Sequence, residues 1–208
     1  HVDVTGNLDV GAGLDVTGAI TGTGNLSQTI SANDIGLKQT ASGNHYIINT
    51  IDANVSSANY LLGMVQAKWN GTHVADISFS SGSDTSNKDD GKIAFRTSAA
   101  QGGIADRLTI TSAGNVGIGT TSPARKLHLN ESGTGTAVYA SFTNGTTGAA
   151  ANNGLAIGID SSQNAILNNY SSTDIAVLCN GAERTRIKSD GRLLVGTTTP
   201  GESTADDL

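Results

Sequence analysis

Few residues in this chain are placed to do chemistry. His1, His45, His73 and His128 are far apart and never show the short spacing of a metal-ligand pair such as H-x-x-x-H. DTSNKDDG (Asp84–Gly91) crowds carboxylates against a glycine as a calcium loop does. Counting back from Gly91, however, ligand positions hold Ser86 and Lys88, so the stretch reads as a solvated hairpin tip. GNVGIGTT (Gly114–Thr121) has the glycines of a phosphate loop but no G-K-[ST] ending and no helix after it, which leaves a β-turn. A carboxylate pair for glycoside cleavage would have to come from Glu131 and Glu183, since Glu202 sits in the polar tail GESTADDL. No G-x-S-x-G elbow occurs. These patterns predict no enzyme, no cofactor and no metal site.

Binding is the remaining chemistry. Trp69, Tyr46, Tyr60, Tyr139 and Tyr170 are the side chains best suited to stack on sugar rings, although core or interface packing is the stronger expectation for each. With 14% charged residues and a formal net charge of −6, the chain lacks the basic footprint that nucleic-acid binding needs. No apolar run approaches the roughly 18 residues of a membrane span, so no membrane insertion is expected. His1 opens no signal peptide and already belongs to a repeat, as in a chain that begins mid-protein. Cys179, the single cysteine, sits in the apolar run IAVLCN and reads as a small buried hydrophobe.

The elements that must position these residues are β-strands. Short β-branched runs alternate with Gly, Asn and Ser clusters: HYIINTI, THVADISFS, GKIAFRT, DRLTIT, RKLHL, AVYASF, GLAIGI, DIAVLC and RLLVGT. Ser56–Trp69 fits a helix and a strand equally well. Aromatics are only 4% against 27 glycines, so thin layers of Val, Ile, Leu and Ala are expected instead of one large core.

Two repeats organise the chain. From Val2 to Leu26 it is written in sixes, with Val2, Leu8, Leu14, Ile20 and Leu26 in one phase and Val4, Val10 and Val16 two places later. A β-helix matches that period, but a single chain needs three hexads per coil, and five hexads would close fewer than two. Three identical chains, each giving one face, would close every layer at once. The second repeat aligns ADRLTITSAGNVGIGTTSPA (105–124) without gaps to AERTRIKSDGRLLVGTTTPG (182–201). Its grammar is strand, turn, strand and a proline stop. Gly114 and Gly191 should take positive φ, Gly119 and Gly196 should meet a close backbone, and Pro123 and Pro200 should end the strands. The segments upstream of the two copies differ in sequence, so only the hairpins should superpose.

In LDVTGAITGTGNL and DRLTITSAGNVGIGTTSPARKLHL the chain resembles the distal part of bacteriophage tail fibres and tailspikes, those of marine and cyanobacterial phages in particular. The resemblance covers residues 1–30, 105–129 and 182–201, whereas 31–104 and 130–181 share only composition. Such fibres often carry a C-terminal intramolecular chaperone of the S74 peptidase class, whose SDxRLKEN signature is not found up to Leu208.

The resulting expectation is an all-β homotrimeric fibre. Residues 1–30 form an intertwined β-helical shaft, 31–128 a first β-module ending in hairpin 105–124, and 129–208 a second module ending in hairpin 182–201 and the tail. The resemblance implies a virion tail fibre that attaches to a host surface glycan or protein, joined at its N-terminal end to an upstream fibre or tail protein. A purely structural connector and a polysaccharide-depolymerising tailspike are the alternatives.

Overall fold

The computed structural model describes residues 48–100 and 102–196. The hexad positions Val2, Leu8, Leu14, Ile20 and Leu26, together with Tyr46, lie outside them. The described residues are all-β, with twelve strands in three sheets and no helix. All twelve lie in the compact unit that begins at Ile51.

The first sheet orders β1 (Leu61–Trp69), β2 (Thr72–Ser81), β3 (Gly91–Ser98), β4 (Ile104–Ile110), β5 (Val116–Ile118) and β6 (Leu127–Leu129) side by side. Neighbours are antiparallel except β5 and β6, which run parallel. Ser56–Trp69 therefore contributes a strand and no helix, with β1 and β2 joined through Asn70 and Gly71 at φ 48° and 82°. Two successive positive φ values are what a two-residue hairpin requires, and Asn-Gly supplies them at least cost.

The second sheet is a meander of β7 (Val138–Phe142), β8 (Leu155–Ile159) and β9 (Ala165–Asn169), and the third a meander of β10 (Ile175–Cys179), β11 (Ala182–Ile187) and β12 (Leu193–Val195). Residues 129–196 thus hold two separate three-stranded sheets. β9 was missed in the strand reading, because AILNN ends in residues that read as loop. HYIINTI is corrected in its described part. Residues 48–51 form no strand, and the side chain of Ile51 instead lies over Gly63, where no Cβ would fit.

The two hairpins of the sequence repeat share one geometry. Leu108, Thr109 and Ile110 face Ile118, Gly117 and Val116, as Thr185, Arg186 and Ile187 face Val195, Leu194 and Leu193. The turn closes with Thr111 N–H on the Asn115 carbonyl at 3.0 Å and Gly114 N–H on the Thr111 carbonyl at 2.9 Å. Lys188, Arg192 and Gly191 repeat this at 2.8 and 2.9 Å. Gly114 and Gly191 have φ of 70° and 90°, as a three-residue hairpin loop ending in a left-handed residue demands.

Two expectations need correction. Gly119 and Gly196 are left-handed as well, at 74° and 75°, and each donates its N–H back across the hairpin, to Arg107 and Arg184. That turn stops β5 at Ile118, so Pro123 does not end the strand. It folds back over Gly117 together with Thr120. Of the two, only Gly119 meets a close backbone among the described residues, the Asn130 carbonyl, because β6 returns beside it. The repeat also extends one strand upstream of the aligned residues. β3 meets β4, and β10 meets β11, with the same register shift, at Phe95/Arg96 and at Val177/Leu178.

Candidate interaction surface

Strand alternation sends successive side chains to opposite faces. On one face of the first sheet, Val65, Ile77, Phe95, Leu108 and Ile118 align across five strands, and Phe79, Ile93, Ile110, Val116 and Leu127 form the next row. In the second sheet Ala140, Ile157 and Leu167 align beside Val138, Ile159 and Ala165. In the third, Ile175, Ile187 and Leu193 align beside Val177, Thr185 and Val195. A soluble sheet normally turns such a face inward.

Here the polarity is reversed. Among the described residues the buried apolar side chains are only Ala94, Ala156 and Leu194, and the buried polar ones are Asp76, Ser78 and Thr109. Eighteen large hydrophobic residues are exposed, including Val65, Phe95 and Ile118 of the first sheet, Phe142, Ile157, Ile159 and Leu167 of the second, and Val177, Ile187 and Val195 of the third. A shallow apolar groove runs between Val65, Ile77 and Phe95. The enclosed face is small and polar, and the open face carries the branched aliphatics.

Ion pairs hold the enclosed faces. The Asp76 carboxylate, fully buried, meets the Arg96 Nε and the His73 Nε2, each at 2.7 Å. Arg186 bridges Glu183 and Asp174, and Lys188 reaches Asp174 at 3.0 Å. Hydrogen bonds from Arg186, then from Lys188 and the Ser189 N–H, hold the Asp174 carboxyl far below the usual range, and Arg186 does the same to Glu183. These carboxylates are spent on cations of their own sheets.

The residues singled out for chemistry are not brought together. His73 serves Asp76, and His128 on β6 accepts the Ala124 N–H at 3.3 Å. Glu131 follows β6 and Glu183 lies on β11, in different parts of the chain. DTSNKDDG forms the β2–β3 connection, where Asp84 accepts the N–H groups of Ser86 and Asn87 and Asp90 accepts those of Ser83 and Asp84. The Asn87 and Ser86 N–H groups lower the Asp84 pKa.

The sugar-stacking candidates separate. Trp69 is 79% exposed at the tip of the β1–β2 hairpin, on the same face as Val65 and Ala67, and Tyr60 is exposed just before β1. Tyr139 is half-buried against Gly158, where an added Cβ would lie 2.7 Å from its ring. Burial chiefly, then the nearby Tyr170 and Asp160, push the Tyr139 phenol up. Cys179 is exposed, correcting the buried reading. It ends β10 beside the Asn180-Gly181 turn, and its apolar run belongs to an open sheet face.

No protein-family model matches the chain, and no curated protein matches it. The most distinctive feature of the described residues is the open faces, which carry no catalytic motif. Their signal was in the sequence: Ile77 and Phe79 alternate with Asp76 and Ser78, and Leu108 and Ile110 with Thr109. Without the pairing, nothing said which phase was left open.

Proposed function

We propose that this chain is a subunit of a homotrimeric bacteriophage tail fibre, which works on the virion by rigidity and by adhesion to the host cell surface instead of by catalysis. The observation that carries the reading is the reversed polarity of the sheets: described residues that enclose three apolar side chains and expose eighteen large ones gain their core from copies of the chain. The hexad phase of Val2, Leu8, Leu14, Ile20 and Leu26 supports the same symmetry, because three chains close each layer that one chain leaves open. The resemblance of the shaft and hairpin phrases to phage fibres supplies the setting, with an upstream fibre or tail protein at the N-terminal end. Three equivalent faces on each fibre would turn weak contacts with a surface glycan into avidity. Tyr60 and Tyr170 are exposed aromatics for that role.

A second reading, a connector without receptor contact, is favoured by one observation. Trp69, the largest exposed aromatic, shares a face with Val65 and Ala67 and so suits packing better than sugar. Light scattering of the purified chain, with binding to intact host cells before and after enzymatic stripping of their glycans, tests both. Trimers that lose binding after stripping support the adhesin. Trimers that never bind support the connector, and a stable folded monomer sinks the fibre.

A further inference from the structure

The reversed polarity specifies more than an oligomer, since it names the surfaces that meet. We infer that the open apolar faces of all three sheets are buried against copies of this same chain, with Trp69 inside the interface. This inference rests on the fibre reading and deepens it.

Area comes first. Strands lie about 4.8 Å apart and same-face residues about 6.8 Å along a strand. Six strands carrying two to three rows therefore make a face on the order of 500 Å². The two three-stranded faces add about half as much each, which gives roughly 1,000 Å² per chain against the ~800 Å² per partner of a stable interface.

The identity of the occupant follows from repetition. All three sheets present the same register to solvent: Phe95–Leu108–Ile118, Ala140–Ile157–Leu167 and Val177–Thr185–Val195 are equivalent rows. An unrelated partner would have to match that row three times along one chain, whereas a rotational axis supplies the match to every sheet at once. Electrostatics does not drive the assembly, because each chain carries a formal −6 and copies repel. Apolar burial has to overcome that repulsion.

Trp69 is the only tryptophan and lies on the open face of β1, which makes the full-length chain its own probe. In the assembled protein its emission should be blue-shifted and shielded from acrylamide, and dissociation should reverse both. In a Cys179→Ser background, a thiol introduced by Ile157→Cys should react with a maleimide more than about tenfold slower in the trimer than one introduced by Gln163→Cys at an exposed turn. A trimer in which Trp69 is freely quenched and the Ile157→Cys thiol reacts as fast as the control would overturn this inference and leave the fibre reading standing. A folded monomer would overturn both.

Discussion

At Asp76 the first sheet buries a carboxylate between His73 and Arg96, and at Arg186 the third sheet half-buries a guanidinium between Glu183 and Asp174. Each residue lies five positions after the glycine of an Asn-Gly turn, and each strand carries a register shift three positions after that glycine, skipping Val74 in one case and Arg184 in the other. The frame is the same and the charges are exchanged. Turn and bulge are set by the backbone, so they persist while side chains change. An enclosed charge of either sign then needs opposite neighbours, since an unpaired one is costly. Sequence alignment compares side chains and so sees two unrelated stretches.

The largest test lies in the duplicated hairpins, at one register position where the first sheet has Gly117 and the third Leu194. Leu194 is fully enclosed, so Leu194→Ala should cost about 2–5 kcal/mol by transfer and cavity terms together. Gly117→Leu should destabilise for the opposite reason, because a side chain there falls on the Thr120 carbonyl and presses toward Pro123. Chemical denaturation of both variants checks this. If Gly117→Leu is tolerated, the loop over β5 is not packed as described and the two sites are interchangeable.

Gly119 and Gly196 sharpen the comparison at a smaller scale. Both are left-handed, but of the two only Gly119 faces a carbonyl among the described residues, that of Asn130. Gly196→Ala should cost about 1 kcal/mol for its φ alone, while Gly119→Ala adds overpacking for a total on the order of 3 kcal/mol. Equal losses in denaturant midpoint would mean that β6 does not lie against Gly119.

How much of this was legible depends on what carried the information. The hairpins at 105–124 and 182–201 were legible because glycine is nearly obligatory at a left-handed turn position, so Gly114 and Gly191 mark it by residue type. The third occurrence was not. Asp160 and Asn164 close β8 onto β9 as Thr111 and Asn115 close β4 onto β5, but the left-handed position holds Gln163, which signals nothing. Asn70-Gly71 and Asn180-Gly181 are hairpin turns that residue type alone marks. The open faces were half legible: alternation gives two phases, and which one is covered depends on Thr120 and Pro123 folding over Gly117, a tertiary fact.

Acid should loosen the third-sheet charge cluster. Asp174 and Glu183 are both held below their ordinary pKa by Arg186. A carboxylate with a depressed folded pKa contributes stability that is fully present above its unfolded value, about 4. That contribution is lost as pH falls from there through the folded value. Thermal unfolding followed downward from pH 7 should therefore stay flat to about pH 4–5 and then decline. Asp174→Asn should lower the plateau and flatten the decline. A decline of unchanged depth in Asp174→Asn would remove the third-sheet cluster as its source.

The smallest expected effect lies in the turn that sequence could not mark. Gln163 holds φ at 68° where the equivalent turns have Gly114 and Gly191. A side chain in that conformation costs roughly 1–2 kcal/mol, and glycine's greater freedom in the unfolded chain returns part of this. The strain is tolerated because Asp160 staples the loop. Its carboxylate accepts the N–H groups of Ser162 and Asn164 at 2.9 and 2.8 Å and the Asn164 side-chain amide at 2.9 Å. Those bonds, with the Asn164 side chain the largest contributor, also lower the Asp160 pKa. Gln163→Gly should therefore stabilise the chain by about 0.5–1 kcal/mol, and Gly191→Gln should destabilise it by at least as much, since the third-sheet turn has no residue in the place of Asp160 with such a staple. Paired denaturation curves decide the matter. A loss of stability in Gln163→Gly would mean that its side chain makes a contact worth more than the strain, and that the three turns share a hydrogen-bond pattern without sharing an energy balance.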